Sequence, residues 1–306
     1  MLQTLITLPM LRPEFFAKGI LSRSAINGVL LFGPPGTGKT MLAKAVAKSS
    51  GAKFMNVALS NVLDKYVGEG EKNVRAVFTL ARKLAPCVVF LDEVDALFAA
   101  RRNDGSSSSR REIMNEFMAE WDGLSSNNNG VIVLGATNRP FDLDDAILRR
   151  MPRRILIDLP SEEARASILT RLLMDELLDS SVDIPFLAKR TALYSGSDLK
   201  NLCIAAALAR VKESVVRSLL QTDSNTTVTA EHHFSQESEP LTSAHFEVAF
   251  AEVPPSLTDE MQTLVELRKW DKQFGDGSAR HNAKKTRGWG FDFVDSGKHV
   301  SPTPGV

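Results

Sequence analysis

The stretch GPPGTGKT, Gly33 to Thr40, decides the fold. It fits G-x-x-x-x-G-K-[ST], follows the apolar run GVLLFG (28–33) and opens TMLAKAVAKSS (40–50). In the latter, Leu42, Ala43, Val46 and Ala47 fall on one helical stripe. A strand, a glycine loop and a helix in that order let main-chain N–H groups converge on phosphate oxygens at a helix N-terminus, where the dipole also favours negative charge. Gly33, Pro34, Pro35, Gly36, Thr37 and Gly38 would form that loop around the phosphates of a nucleotide. Lys39 would meet the β- and γ-phosphates, and Thr40 would hold Mg²⁺.

Working outward, the runs CVVFLD (87–92), GVIVLGATN (130–138) and RILIDLP (154–160) join GVLLFG as strand candidates, with KFMNVAL (53–59) a weaker fifth. Runs that are apolar on both faces suit a parallel sheet covered by helices on each side. EKNVRAVFTLARKL (71–84) supplies one such helix, with Val74, Val77, Phe78 and Ala81 on its inner stripe. The alternation predicts a doubly wound α/β domain over residues 1–159.

After Pro160 the pattern becomes helical. SEEARASILTRLLMDELL begins with Ser161 as a cap, and SGSDLKNLCIAAALARVKESVVRSLL (195–220) is a longer helix capped by Ser197 or Asp198. A second, all-helical domain is expected over 160–275, interrupted by the polar, aperiodic stretch 221–243 that reads as a mobile insertion. SLTDEMQTLVELRKWDKQFGDG (256–277) places Leu264, Leu267 and Trp270 on one stripe, and residues 276–306 read as a disordered tail.

Two further segments complete a reactive site. CVVFLDEVDAL carries Asp92 and Glu93 to the C-terminal edge of the sheet, where ligands of such folds bind. Asp92 suits Mg²⁺ and Glu93 suits polarising an attacking water. In GATNRP, Asn138 closes another strand, and its amide would orient the same water. LRRMPRR packs Arg149, Arg150, Arg153 and Arg154 together. Such a cluster serves as a solvated face, as a nucleic-acid patch, or as guanidinium inserted into a neighbouring subunit's γ-phosphate site.

Composition narrows the partners. The 37 basic residues balance the 37 acidic ones, so no global field draws the chain to nucleic acid or an anionic membrane, and no nucleic-acid partner is expected. No apolar run approaches the ~20 residues of a membrane span. Cys87 and Cys203 sit in apolar surroundings and read as reduced core residues.

Together these residues resemble the AAA+ ATPases from about Leu8 to Gly275. GPPGTGKT resembles the Walker A motif, VVFLDEVD Walker B and GATNRP the sensor-1 strand. Within the arginine cluster, Arg149 and Arg150 correspond to the arginine fingers. The resemblance implies a P-loop NTPase sheet between helices followed by a small helical lid. It further implies ATP hydrolysis with Mg²⁺, and a homo-oligomeric ring, usually a hexamer, with sites shared between subunits.

SGSDLKNL lacks a following sensor-2 arginine, as in the branch of katanin, spastin and the membrane-protein extractases. Met151-Pro152 after the fingers, and FMAEWDGL (117–124), resemble the extractases of the mitochondrial outer membrane and peroxisomes. The expectation is therefore a protein translocase extracting membrane proteins at the mitochondrial outer membrane. The alternatives are a microtubule-severing or sorting-filament ATPase and, from another class, a nucleotide-switched scaffold.

Lys65, Tyr66, Val67 and Gly68 resemble the first pore loop, whose aromatic side chain would grip a polypeptide substrate, and NDGSSSSRR (103–111) lies where a second would fall. Family members carry a Gly-Gly-Leu turn ahead of the first helix. This chain begins downstream of it, so truncation is expected, and with it the loss of any N-terminal membrane contact.

Overall fold

The computed structural model describes residues 6–16, 28–58, 69–98, 108–125, 130–222, 239–257 and 262–276. Five strands, β1 (Gly28–Phe32), β2 (Lys53–Ala58), β3 (Cys87–Asp92), β4 (Val131–Thr137) and β5 (Arg153–Leu156), form one sheet in the order β2-β3-β4-β1-β5. Every pairing is parallel. β1, β4 and nearly all of β3 are buried along their whole length, the reason their sequences read as unbroken apolar runs. β5 lies at an edge and is half-buried. The strand there stops at Leu156, short of the expected Pro160, because β1, its sheet neighbour, ends at Phe32 opposite Leu156.

Successive side chains of a strand face opposite ways, so each strand feeds two cores. α1 (Leu8–Leu11) and α2 (Lys39–Ser49) cover one face, where Met10, Ala43, Val46 and Ala47 meet Val29, Leu31, Phe90 and Leu134. α3 (Glu69–Lys83), α4 (Val94–Phe98) and α5 (Ser108–Ser125) cover the other, where Val74, Phe78 and Phe98 meet Leu30, Phe32 and Leu91. Phe117 of α5 packs edge-on against both Phe78 and Phe98, with ring centroids 5.0 and 5.1 Å apart. Each such fully buried side chain contributes on the order of 1.5–3 kcal/mol.

Beyond α6 (Asp145–Arg150), which precedes β5, the chain is helical: α7 (Glu162–Leu172), α8 (Ile184–Arg190), α9 (Gly196–Thr222) and α10 (Ser243–Glu252). They close on a separate core that includes Leu169, Leu187, Leu202, Ala206 and Phe246. Ser161 caps α7 as expected, accepting from the Ala164 N–H at 3.3 Å. The cap of α9 is Ser195, not Ser197 or Asp198. Ser195 Oγ accepts from Asp198 N–H at 3.2 Å and Asp198 Oδ2 accepts from Ser195 N–H at 2.9 Å, a reciprocal box that satisfies two donors at once.

The last described helix, α11 (Gln262–Phe274), turns back to the sheet. Its Leu267 and Trp270 join the core on the α3 side, and Trp270 meets Phe32 edge-on at 4.7 Å. Arg154 of β5 lies over the rings of Trp270 and Phe274. The expected pore residues Lys65, Tyr66, Val67 and Gly68, most of the 221–243 stretch, residues 103–107 of the second pore segment and the tail beyond 276 lie outside the described residues.

Candidate nucleotide site

Phe32 ends β1, and the chain turns away through three glycines with positive φ: Gly33 at 151°, Gly36 at 75° and Gly38 at 88°. Two of them are also sterically enforced. A Cβ on Gly33 would stand 2.1 Å from the Ile157 carbonyl oxygen, and one on Gly36 would stand 2.6 Å from Ser195 Oγ. The second contact comes from the helical domain, whose Ser197 N–H also donates to the Gly36 carbonyl at 3.1 Å. The first turn of α9 therefore rests directly on the phosphate-cradling loop.

Gly38 precedes α2 in the left-handed region, and no side chain caps that helix N-terminus. Its main-chain donors are the kind of group that an anion satisfies. Lys39 is buried beneath the loop and donates to the carbonyls of Gly33 at 3.1 Å and Pro34 at 2.7 Å. Burial lowers its ammonium to about 8, while the nearby Asp92 charge pulls in the opposite direction.

The Thr40 hydroxyl donates to Asp92 Oδ2 at 2.9 Å, bringing together two segments 52 positions apart. Asp92 Oδ1 accepts from the Glu93 N–H at 3.1 Å. Glu93 itself is exposed at the sheet edge and adopts a left-handed φ of 51°, unusual for a residue with a Cβ and costing roughly 1 kcal/mol. β4 lies between β1 and β3, so Asn138, directly after β4, stands between the glycine loop and the acidic pair. The Gly33 N–H donates to the Thr137 carbonyl at 3.3 Å, holding the two strand ends in register. Asn138 Oδ1 is buried and has no partner among the described residues, an orphaned acceptor that a water or substrate would satisfy.

These features fit ATP and a divalent ion: a glycine cradle, a buried lysine, a hydroxyl beside a carboxylate, and an exposed carboxylate beside an unsatisfied amide.

The arginines divide. Arg150 forms a two-pronged pair with Asp122 of α5, at 2.8 and 2.5 Å, and donates to the Ala146 carbonyl. Arg154 donates to the carbonyls of Met151 and Leu148. Arg153 approaches Asp276 at 3.9 Å. Arg149 is exposed, and no ion pair or hydrogen bond engages it among the described residues. The Arg150 carbonyl abuts Gly28, at the start of β1, whereas the glycine loop follows the end of that strand. Five residues of strand separate them by about 16 Å. Arg149 and Arg150 thus stand at the opposite sheet edge from their own chain's phosphate site.

The sequence model of the ATPase family associated with various cellular activities (AAA) matches residues 29–159, and that of the AAA+ lid domain matches 181–226. The solved FIGL-1 AAA domain in complex with ADP superposes with a TM-score of 0.74 and 36% identity, over 90% of this chain and 87% of that one. The chain belongs to the AAA ATPase family. ATP binding and hydrolysis are accordingly the business of this site. A structure solved for katanin self-assembly is similar at a TM-score of 0.70 and 35% identity, over 88% of this chain and 85% of that one. Among curated proteins, spastin of Gallus gallus is 42% identical over 277 residues, 90% of this chain and 42% of its own length. The spastin homolog of Caenorhabditis elegans is 38% identical over 280 residues, 90% of this chain and 51% of its own length. The chain spans about two-fifths to half the length of these curated relatives.

These relatives, spastin, katanin and FIGL-1, place the weight on the katanin and spastin side of the branch and not on the extractases. Met151, which suggested that reading, is fully buried in the sheet core. A Cβ on Gly135 would stand 2.5 Å from its terminal methyl carbon. Packing against Gly135 accounts for a methionine there, so the residue says little about substrate. No described helix is long and apolar enough to cross a membrane.

Proposed function

We propose that the protein is an ATP-driven motor of the microtubule-severing kind, acting as a homo-oligomeric ring on a polypeptide substrate. The observation that carries the catalytic part is the Thr40 to Asp92 hydrogen bond, with Glu93 exposed beside it and Asn138 unsatisfied between the strands. Gly33, Pro34, Pro35, Gly36, Thr37 and Gly38 wrap the phosphates, and Lys39 places its charge beneath them. Thr40 and Asp92 would hold Mg²⁺, which would offset the negative charge that develops on the phosphate. Glu93 accepts the proton of the attacking water, and Asn138 orients it.

Arg149 serves the site of a neighbouring subunit. It is the exposed member of the pair, and its distance from its own glycine loop leaves a second copy as the natural recipient. Likeness to a katanin structure concerned with self-assembly supports the ring. Likeness to spastins over nine-tenths of the chain supports severing over extraction. Tyr66, flanked by Lys65, Val67 and Gly68, would grip the extended polypeptide, for which large amphipathic area at low entropic cost is suited.

The test is ATP turnover with and without microtubules, using the parent chain, Glu93→Gln and Tyr66→Ala. Stimulation and severing by the parent, ATP binding without turnover in Glu93→Gln, and turnover without severing in Tyr66→Ala are expected. Stimulation by hydrophobic tail-anchor segments and none by microtubules would return the substrate assignment to extraction.

A further inference from the structure

Glu93 is held from both sides. On its N-terminal side, Asp92 accepts the Thr40 hydroxyl. On its C-terminal side, two residues on, Asp95 Oδ1 accepts the Thr137 hydroxyl at 2.6 Å. Thr137 is the final residue of β4, 2% exposed, and directly precedes Asn138. Its hydroxyl oxygen in turn accepts the Arg139 N–H at 2.9 Å, so the same side chain also fixes the backbone on the far side of Asn138. One short hydrogen bond thereby joins the segment carrying the proton acceptor to the segment carrying the water-orienting amide.

Packing alone does not call for this arrangement. All seven residues of β4 are buried, and valine has nearly the shape of threonine, so an apolar residue would serve the sheet at position 137. Val94, Leu97 and Phe98 already anchor α4 in the core without Asp95. What the hydroxyl and carboxylate add is a directional contact between two segments whose separation must match one water molecule. The left-handed turn at Glu93 makes such a tie useful, since that conformation persists only where its surroundings over-determine it.

We infer that Thr137 and Asp95 are a positioning pair that fixes Glu93 and Asn138 relative to each other across the attacking water. The inference rests on the roles proposed above for Glu93 and Asn138. Neither member of the pair touches the substrate. Both act through their neighbours.

The experiment is steady-state ATPase kinetics on the parent chain, Glu93→Gln, Thr137→Val, Thr137→Ser, Asp95→Ala and the Thr137→Val/Asp95→Ala double variant. In Thr137→Val, kcat should fall between about ten- and a hundredfold with KM changed less than about twofold, the signature of lost geometry and not lost binding. Thr137→Ser, which keeps the hydroxyl, should restore most of kcat. The double variant should be no slower than the slower single one, because both remove the same bond. Asp95→Ala, at a partly exposed position, serves if Thr137→Val does not fold, and it too should lower kcat alone.

A parent that turns over ATP and a folded Thr137→Val or Asp95→Ala with unchanged kcat would overturn the positioning role and leave the proposed function intact. Equal loss in Thr137→Ser and Thr137→Val would also overturn it. A parent without turnover would remove the proposed function and this inference together.

Discussion

Thr40 Oγ1 and Asp92 Oδ2 lie 2.9 Å apart, so the first turn of α2 and the last residue of β3 meet although 52 positions separate them in sequence. Both groups present oxygen to the same point at the sheet edge, the preference of a hard divalent ion. Asp92→Asn retains an acceptor for the Thr40 hydroxyl but removes the charge. Turnover should fall by more than about a hundredfold, while unfolding stability moves by less than about 1 kcal/mol. A stability loss large enough to account for the lost activity would make Asp92 a structural residue.

Lys39 gives the site a pH signature. Its ammonium is lowered to about 8 chiefly by burial, and phosphate oxygens would raise it again on binding. Below about 8 the lysine is already charged and binding needs no proton. Above it, each bound nucleotide must take one up, so affinity should weaken by up to about tenfold per pH unit. Calorimetry of ADP binding in EDTA, in buffers of different ionisation enthalpy, should show proton uptake that grows as pH rises through 8. In the folded free chain the same shift means that Lys39 binds fewer protons than in the unfolded one between about 8 and its usual 10.5, so its own contribution to stability rises with pH across that window.

Trp270 couples the last described helix to the root of the glycine loop. It packs edge-on against Phe32, the residue before Gly33, and carries Arg154 over its face. Trp270→Ala should destabilise the chain by about 3–5 kcal/mol, read from denaturant unfolding, and should weaken nucleotide binding. Trp270→Phe should recover much of both. A change under about 1 kcal/mol would mean that α11 does not belong to the core.

Much of this was legible because the relevant physics is local. Strands buried on both faces must be apolar throughout, as in CVVFLD and GVIVLGAT, and a strand, a glycine loop and a helix in sequence leave few options for phosphate binding. What escaped is relational. Nothing near Arg150 announces that Asp122, 28 positions upstream, engages it and leaves Arg149 exposed. Ser195, Ser197 and Asp198 are all capable caps by residue type, and only the reciprocal bonds choose Ser195. In sequence, Asp95 and Thr137 stand 42 positions apart beside Glu93 and Asn138, and nothing marks them as partners. The available signal was a polar residue at the end of each apolar segment, beside a reactive one. Met151 follows the arginine pair in sequence, yet its side chain answers to Gly135.

In the proposed ring, each active site joins Glu93 of one subunit to Arg149 of another. Glu93→Gln and Arg149→Ala should each abolish ATP turnover as pure proteins. Mixed in equal amounts and allowed to assemble, they form sites in which a subunit with an intact Glu93 faces a neighbour with an intact Arg149, at about one site in four. The measurement is the ATPase rate of that mixture, and recovery of about a quarter of the parent rate is the expected result. A mixture as inactive as its components, or full activity in pure Arg149→Ala, would contradict a shared site.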